Sequence, residues 1–200
     1  MPGGTRVTHA VNVGSPNNIH YTYDLDKGMI VQLWRGSFLD ATPMWHSRGD
    51  GSSKPAGAVQ YFGKPVTTIQ KLTDEKAAWS EDTAGTGFRP RGYILDNKGR
   101  PNFKYIAYGA SMNDEVRTLE NRQGIQRTIN ITNAPDNLYM LLAEDTEIEA
   151  LPGNLYLIGD KEWYLKIEDA SGAKPVIRKN NGRSEMIIPV KSKLVYSILF

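Results

Sequence analysis

The chain has 200 residues, 40% of them hydrophobic and 23% charged, with 24 Lys+Arg against 22 Asp+Glu and no cysteine. This composition suits a globular domain, rules out disulfides, thiolate metal sites and thiol catalysis, and supplies no basic excess for nucleic acid or an anionic membrane. No stretch approaches the ~20 apolar residues of a membrane span, and the opening "MPGGTRVTHAV" has no apolar signal core.

Apolar residues recur with a period of two almost throughout, the spacing of half-buried strands. In "NIHYTYDLDKGMIVQLW", Ile19, Tyr21, Tyr23 and Leu25 share one face and His20, Thr22 and Asp24 the other. Asp26-Lys27-Gly28 reads as a turn, after which Met29, Val31 and Leu33 are assigned to one face of the returning strand. An irregular loop is expected from Trp34 to Gly57. "TTIQKLTDEKAAWSED" is the one segment read as a helical turn. A second hairpin, "GYILDNKGRPNFKYIAYG", turns at Asp96-Asn97-Lys98-Gly99, where glycine accepts a positive φ. In "GIQRTINIT", Ile125, Ile129 and Ile131 lie on one side. Strand-like segments then follow one another to "KLVYSILF", whose Leu194, Tyr196, Ile198 and Phe200 alternate as in a strand paired within a sheet. The expectation is an all-β antiparallel β-sandwich, or its larger supersandwich variant, with long loops and at most one or two short helical turns. Residues 1–200 read as a single domain cut from a longer chain.

The loop "WRGSFLDATPMWHSRGDGSSKPAG" concentrates aromatic and charged side chains where the backbone is least regular. Aromatic faces stack on the C–H face of a sugar, and Arg and Asp bind hydroxyls or carboxylates by directed hydrogen bonds. On that ground Trp34, Arg35, Asp40, Trp45, His46 and Arg48 are the candidate ligand contacts. In the alternative reading, Trp34, Phe38 and Trp45 plug the open end of the sandwich. His9, His20 and His46, with Asp24 or Asp40, match no metal-ligand spacing, so no metal and no cofactor is expected. The carboxylate pairs Asp24/Asp40, Glu144/Asp145 and Glu147/Glu149 are the raw material for acid–base chemistry. Within "AEDTEIEAL", however, they read as a solvent-facing acidic segment. The chain has no Gly-x-Ser-x-Gly, Walker or dinucleotide signature. Arg127, on the Ile129 face of its strand, is expected to form a structural ion pair with a carboxylate.

Several of these motifs carry a family resemblance. Thr8-His9, Tyr23-Asp24-Leu25, Trp34-Arg35-Gly36, Phe38-Leu39-Asp40, Thr42-Pro43-Met44-Trp45, Arg48-Gly49, Gly92-Tyr93, Leu95-Asp96, Gly99-Arg100-Pro101 and Phe103-Lys104-Tyr105 together resemble a β-rich domain of large exported bacterial proteins. Those proteins also carry sugar-dehydrogenase-like or c-type cytochrome domains. The resemblance spans roughly the first 130 residues of the chain. It implies a periplasmic or extracellular setting. Its implied partners are carbohydrate or the neighbouring dehydrogenase-like or cytochrome domain, with neither nucleic acid nor a membrane span. Residues 99–131 are also similar to a sheet of galactose-mutarotase-like supersandwiches, an analogy of fold alone. The expected function is a non-catalytic carbohydrate-binding or interdomain docking module. The alternative is a carbohydrate-active hydrolase, lyase or epimerase that pairs Asp24 or Asp40 with His9 or His46.

Overall fold

A computed structural model describes residues 6–49 and 51–200, with the backbone alone at 46–49. The structure is all-β, and every strand pair in it is antiparallel. Strands β1 (Ala10–Val13), β2 (Ile19–Asp24), β3 (Met29–Asp40) and β4 (Lys54–Tyr61) form a four-stranded meander. A second four-stranded sheet runs in the order β14 (Val176–Asn180), β15 (Arg183–Pro189), β10 (Leu138–Asp145), β5 (Ile69–Lys71). The third sheet has eight strands. Its order is β11 (Ile148–Leu151), β12 (Leu155–Ile158), β13 (Trp163–Asp169), β16 (Lys193–Leu199), β9 (Gly124–Thr132), β8 (Ala110–Thr118), β7 (Pro101–Ala107), β6 (Arg89–Leu95).

One apolar core joins the three sheets. It takes Tyr21, Tyr23 and Leu33 from the meander, Met140 and Ile188 from the second sheet, and Phe103, Ile129 and Leu165 from the eight-stranded sheet. The arrangement is sandwich-like, with the broad sheet facing the two smaller ones across a shared interior. The closing apolar strand is indeed paired on both sides, since β16 lies between β13 and β9.

Both sequence-assigned turns form. Gly28 takes φ 64°, and its N–H donates to Asp24 O at 3.0 Å. Gly99 takes φ 72°, while Asp96 Oδ1 accepts from the N–H groups of Lys98 and Arg100, each at 2.9 Å.

Three local expectations differ from the structure. The predicted helical turn within residues 67–82 is instead the short strand β5 followed by bends, because Ile69 is drawn into the main core. Trp79 packs with Val66, Leu72, Leu141 and Ile187 in a satellite cluster, its indole N–H donating to Thr67 O at 2.9 Å. The one 3₁₀ segment noted among the described residues is Thr42–Gly49, inside the predicted loop. Finally, a bulge between Thr22 and Tyr23 pairs Tyr23 with Ile30 and Tyr21 with Leu33, leaving Val31 as the extra residue. Ile30 and Leu33 therefore enter the core in place of a Met29–Val31–Leu33 face.

The interior also holds an ion pair. Arg127 is 3% exposed and Asp114 fully buried. Arg127 Nε donates to Asp114 Oδ1 at 2.9 Å, Nη1 to Tyr196 Oη at 2.9 Å and Nη2 to Gly28 O at 2.7 Å. Tyr23 Oη donates to Asp114 Oδ2 at 2.7 Å. Burial opposes the charge on Arg127, but Asp114 holds its pKa well above the ordinary value. The expected ion pair is present, and it reaches across to the meander through Tyr23 and Gly28.

Breaking a buried pair from one side leaves a bare charge, at a cost of about 3–5 kcal/mol, whereas an apolar replacement of both partners is often near neutral. Arg127→Met is therefore expected to lower unfolding free energy by about 4 kcal/mol, and Arg127→Met with Asp114→Leu to recover most of it. Urea unfolding of the three proteins measures both values.

Candidate functional site

The predicted loop is largely an arm of two paired strands. β3 continues to Asp40 and β4 begins at Lys54, so only 41–53 separates them. Glycine makes the close pairing feasible: Gly36 lies opposite Gly57, and a Cβ on Gly57 would fall 1.8 Å from Arg35 O. A further irregularity between Ser37 and Leu39 bends the arm.

The four candidate contacts with described side chains, Trp34, Arg35, Asp40 and Trp45, do not converge. Trp34 is 0% exposed, and its indole N–H donates to Phe38 O at 2.8 Å and Ser37 O at 3.1 Å. No face is left for a ligand, so its assignment as a contact is corrected to a packing role within the arm. Arg35 donates through Nη2 to the Phe200 carbonyl, and its guanidinium carbon sits 4.7 Å from the Phe200 ring centroid. Asp40 is exposed and accepts from the Thr42 N–H at 2.9 Å; hydrogen bonding to Thr42 keeps its carboxyl below the usual carboxylate range. Trp45 stands 85% exposed on the 3₁₀ segment, near the exposed Met44 and Phe38 in sequence. The side chains of His46 and Arg48 lie outside the described residues.

Both described histidines have hydrogen-bond partners. His20 Nδ1 accepts from the Ser15 N–H at 3.1 Å, which assigns the proton to Nε2, donating to Gly36 O at 3.0 Å. The His20 ring packs 5.4 Å from Trp34 and from Phe38. His9 pairs with Asp26 at 2.8 Å. Among the described residues no group of three or more His, Asp or Glu side chains gathers in a metal-binding arrangement. Asp24 is buried, and that burial raises its carboxyl pKa, partly offset by the Asp26 N–H that donates to Oδ1 at 2.8 Å.

A groove lies on the outer face of the meander, beneath the root of the arm. It encloses about 1280 Å³, open solvent included. Its lining includes Asn12, Thr22 and Gln32, one from each of three adjacent strands, with Tyr61, Ser53 and Lys54 from β4 and the segment before it. These side chains form a hydrogen-bonded row. Gln32 Nε2 donates to Thr22 Oγ1 at 2.8 Å, Thr22 Oγ1 donates to Asn12 Oδ1 at 2.7 Å, and Asn12 Nδ2 reaches Ser53 Oγ at 3.4 Å. The Gln32 amide oxygen has no hydrogen-bond donor among the described residues. The lining contains no carboxylate or histidine among the described residues; its charged members are Arg6 and Lys54.

The groove lies beside the segment that the sequence singled out, but its described lining includes none of Trp34, Arg35, Asp40 and Trp45. Asn12, Thr22 and Gln32 are distant in sequence and ordinary one by one. The available signal was polar side chains at successive outward positions of otherwise apolar strands.

No family model matches the chain, and neither does any curated protein or solved structure. No helix among the described residues is long and apolar enough to cross a membrane.

The two tryptophans separate packing from presentation. Trp34→Ala is expected to cost about 3–5 kcal/mol of stability. Trp45→Ala should stay within about 0.5 kcal/mol of the parent. Chemical denaturation of each variant gives the comparison. Asp24 sets a pH dependence: with its folded-state pKa raised, the folded chain holds the extra proton at low pH, so stability falls as pH rises through that pKa. Asp24→Asn retains an acceptor for the Asp26 N–H without the charge. It should be the more stable protein at pH 7, and the gap should close on acidification, as read from melting temperature against pH.

Proposed function

We propose that the domain is a non-catalytic carbohydrate-binding module whose ligand lies in the groove on the outer face of the meander. The observation that carries this reading is the Asn12–Thr22–Gln32 row, extended to Ser53 and flanked by the Tyr61 side chain. Amide and hydroxyl groups each donate and accept, which matches the mixed donors and acceptors of sugar hydroxyls. An aromatic face beside them suits the apolar side of a pyranose ring. The lack of a carboxylate or histidine among the described lining residues favours binding over turnover, because glycoside chemistry needs an acid–base pair at the bond that breaks.

The resemblance to domains that accompany sugar-oxidising modules supports the same ligand class and an exported setting. Docking to such a neighbour is the second reading. It is favoured by exposed apolar side chains away from the groove floor: Phe38, Met44 and Trp45 in the arm region, and Tyr93, Ile94 and Leu95 on the edge strand β6.

Affinity electrophoresis against a panel of neutral soluble polysaccharides tests the proposal. At least one should retard the domain, and Tyr61→Ala should weaken that retention about tenfold, given a stacking and burial contribution near 1.4 kcal/mol. Trp45→Ala should leave it unchanged. Retention that survives Tyr61→Ala, or none with any polysaccharide, would remove the groove reading and leave docking in its place.

A further inference from the structure

A second cavity opens where the three sheets meet, on the opposite side of the meander from the groove. It amounts to about 740 Å³, including open solvent at its mouth. Ile30 comes from the meander, Leu142 from the second sheet, and Trp163 and Ile198 from the eight-stranded sheet. Arg127 and Tyr196, both nearly fully buried, border its inner part. The exposed or half-exposed Lys64, Glu81, Glu144 and Arg183 border its mouth.

The inner end has hydrogen-bond donors to spare. Of the five N–H groups of Arg127, four are directed to Asp114, Gly28 O and Tyr196 Oη, leaving one on Nη1. Tyr196 Oη accepts from Arg127, so its own hydrogen is available, and no acceptor for it occurs among the described residues. Burial raises the Tyr196 pKa, which keeps that hydrogen in place. Two buried donors without acceptors are costly to leave unmet.

The charges around the cavity are already balanced. Asp114 neutralises Arg127, Glu81 pairs with Lys64, and Glu144 pairs with Arg183 at 2.6 Å. An anionic ligand would bring a buried charge with no counter-ion, at a cost of several kcal/mol, far more than the 0.5–1.5 kcal/mol of an added hydrogen bond. A sugar would bury hydroxyl donors against apolar walls. A carbonyl oxygen is neutral, offers two lone pairs and donates nothing. We propose that this cavity is a binding site for a small neutral molecule with an apolar body, whose carbonyl oxygen accepts from Arg127 Nη1 and Tyr196 Oη.

The test is a titration followed in methyl NMR spectra, with cyclohexanone, cyclohexane and cyclohexanecarboxylate as probes. Cyclohexanone should shift the methyl signals of Ile30, Leu142 and Ile198, and bind about fivefold more tightly than cyclohexane, the worth of one or two neutral hydrogen bonds. The carboxylate should bind most weakly. Tyr196→Phe should bring the ketone close to the hydrocarbon while leaving the hydrocarbon unaffected, and Ala143→Leu, which fills the cavity, should weaken both. Methyl dispersion checks the fold of each variant, and the ranking on the native protein decides the matter if either variant does not fold. The proposal fails if none of the probes moves these methyl signals, if the carboxylate binds tightest, if ketone and hydrocarbon bind alike, or if a folded Tyr196→Phe keeps the ketone preference.

Discussion

The Asp114–Arg127 pair is the interaction on which the rest of the molecule depends. Asp114 and Arg127 sit on adjacent strands of the broad sheet, at register positions two pairs apart: Asp114 opposite Ile129 and Val116 opposite Arg127. Their remaining hydrogen-bonding capacity is spent beyond the broad sheet. Tyr23 crosses from the meander to Asp114, and its ring stacks on Phe103 at 3.8 Å between centroids. Gly28 O, in the turn of the same hairpin, accepts from both Arg127 and the Thr68 hydroxyl. Thr68 leads directly into β5, so the second sheet is tied to the same point. A buried ion pair contributes little net stability once desolvation is counted. It does impose geometry, because any slip of the hairpin or of β8 against β9 leaves a charge or a carbonyl unmatched in the interior.

That constraint accounts for a groove and a cavity on opposite faces of one thin sheet. The inner face of the meander carries Tyr21, Tyr23, Ile30 and Leu33 into the core, while the outer face carries the polar row. All six residues of β2 are buried, which requires cover on both sides. The core covers one side; the arm, the 3₁₀ segment and the residues before β4 provide cover on the other. The bulge at Val31 allows both faces to be filled, since it lets Ile30 and Leu33 both point inward while Gln32 stays in the outward row. Glycines 36 and 57 then allow the arm strands to pair closely.

The parts of this architecture legible in the sequence were those governed by local alternation. Ile19, Tyr21 and Tyr23 face the core as their spacing implies, the Gly28 and Gly99 turns form, and Arg127 sits on the Ile129 face with a carboxylate partner. The misreadings come from tertiary context. Val31 satisfies a period-two pattern that a single bulge cancels. Ile69 and Trp79 lie in a segment of helix-compatible composition but are held by apolar contacts with β10 and β15. Trp34 looked like a ligand platform because it adjoins a Gly- and Ser-rich stretch; the strand in fact continues past it and the chain covers it. The candidate groove was the least legible feature, because its residues meet only when β1, β2 and β3 pair and the chain returns along β4.

Native-state hydrogen exchange tests most directly whether one buried network holds all three sheets in a single frame. The amides of Tyr21 in β2, Met140 in β10 and Ile129 in β9 should exchange through the same opening, with one free energy and one denaturant dependence. A distinctly lower opening free energy for the meander, with β9 and β10 still protected, would show that it moves independently and contradict the account.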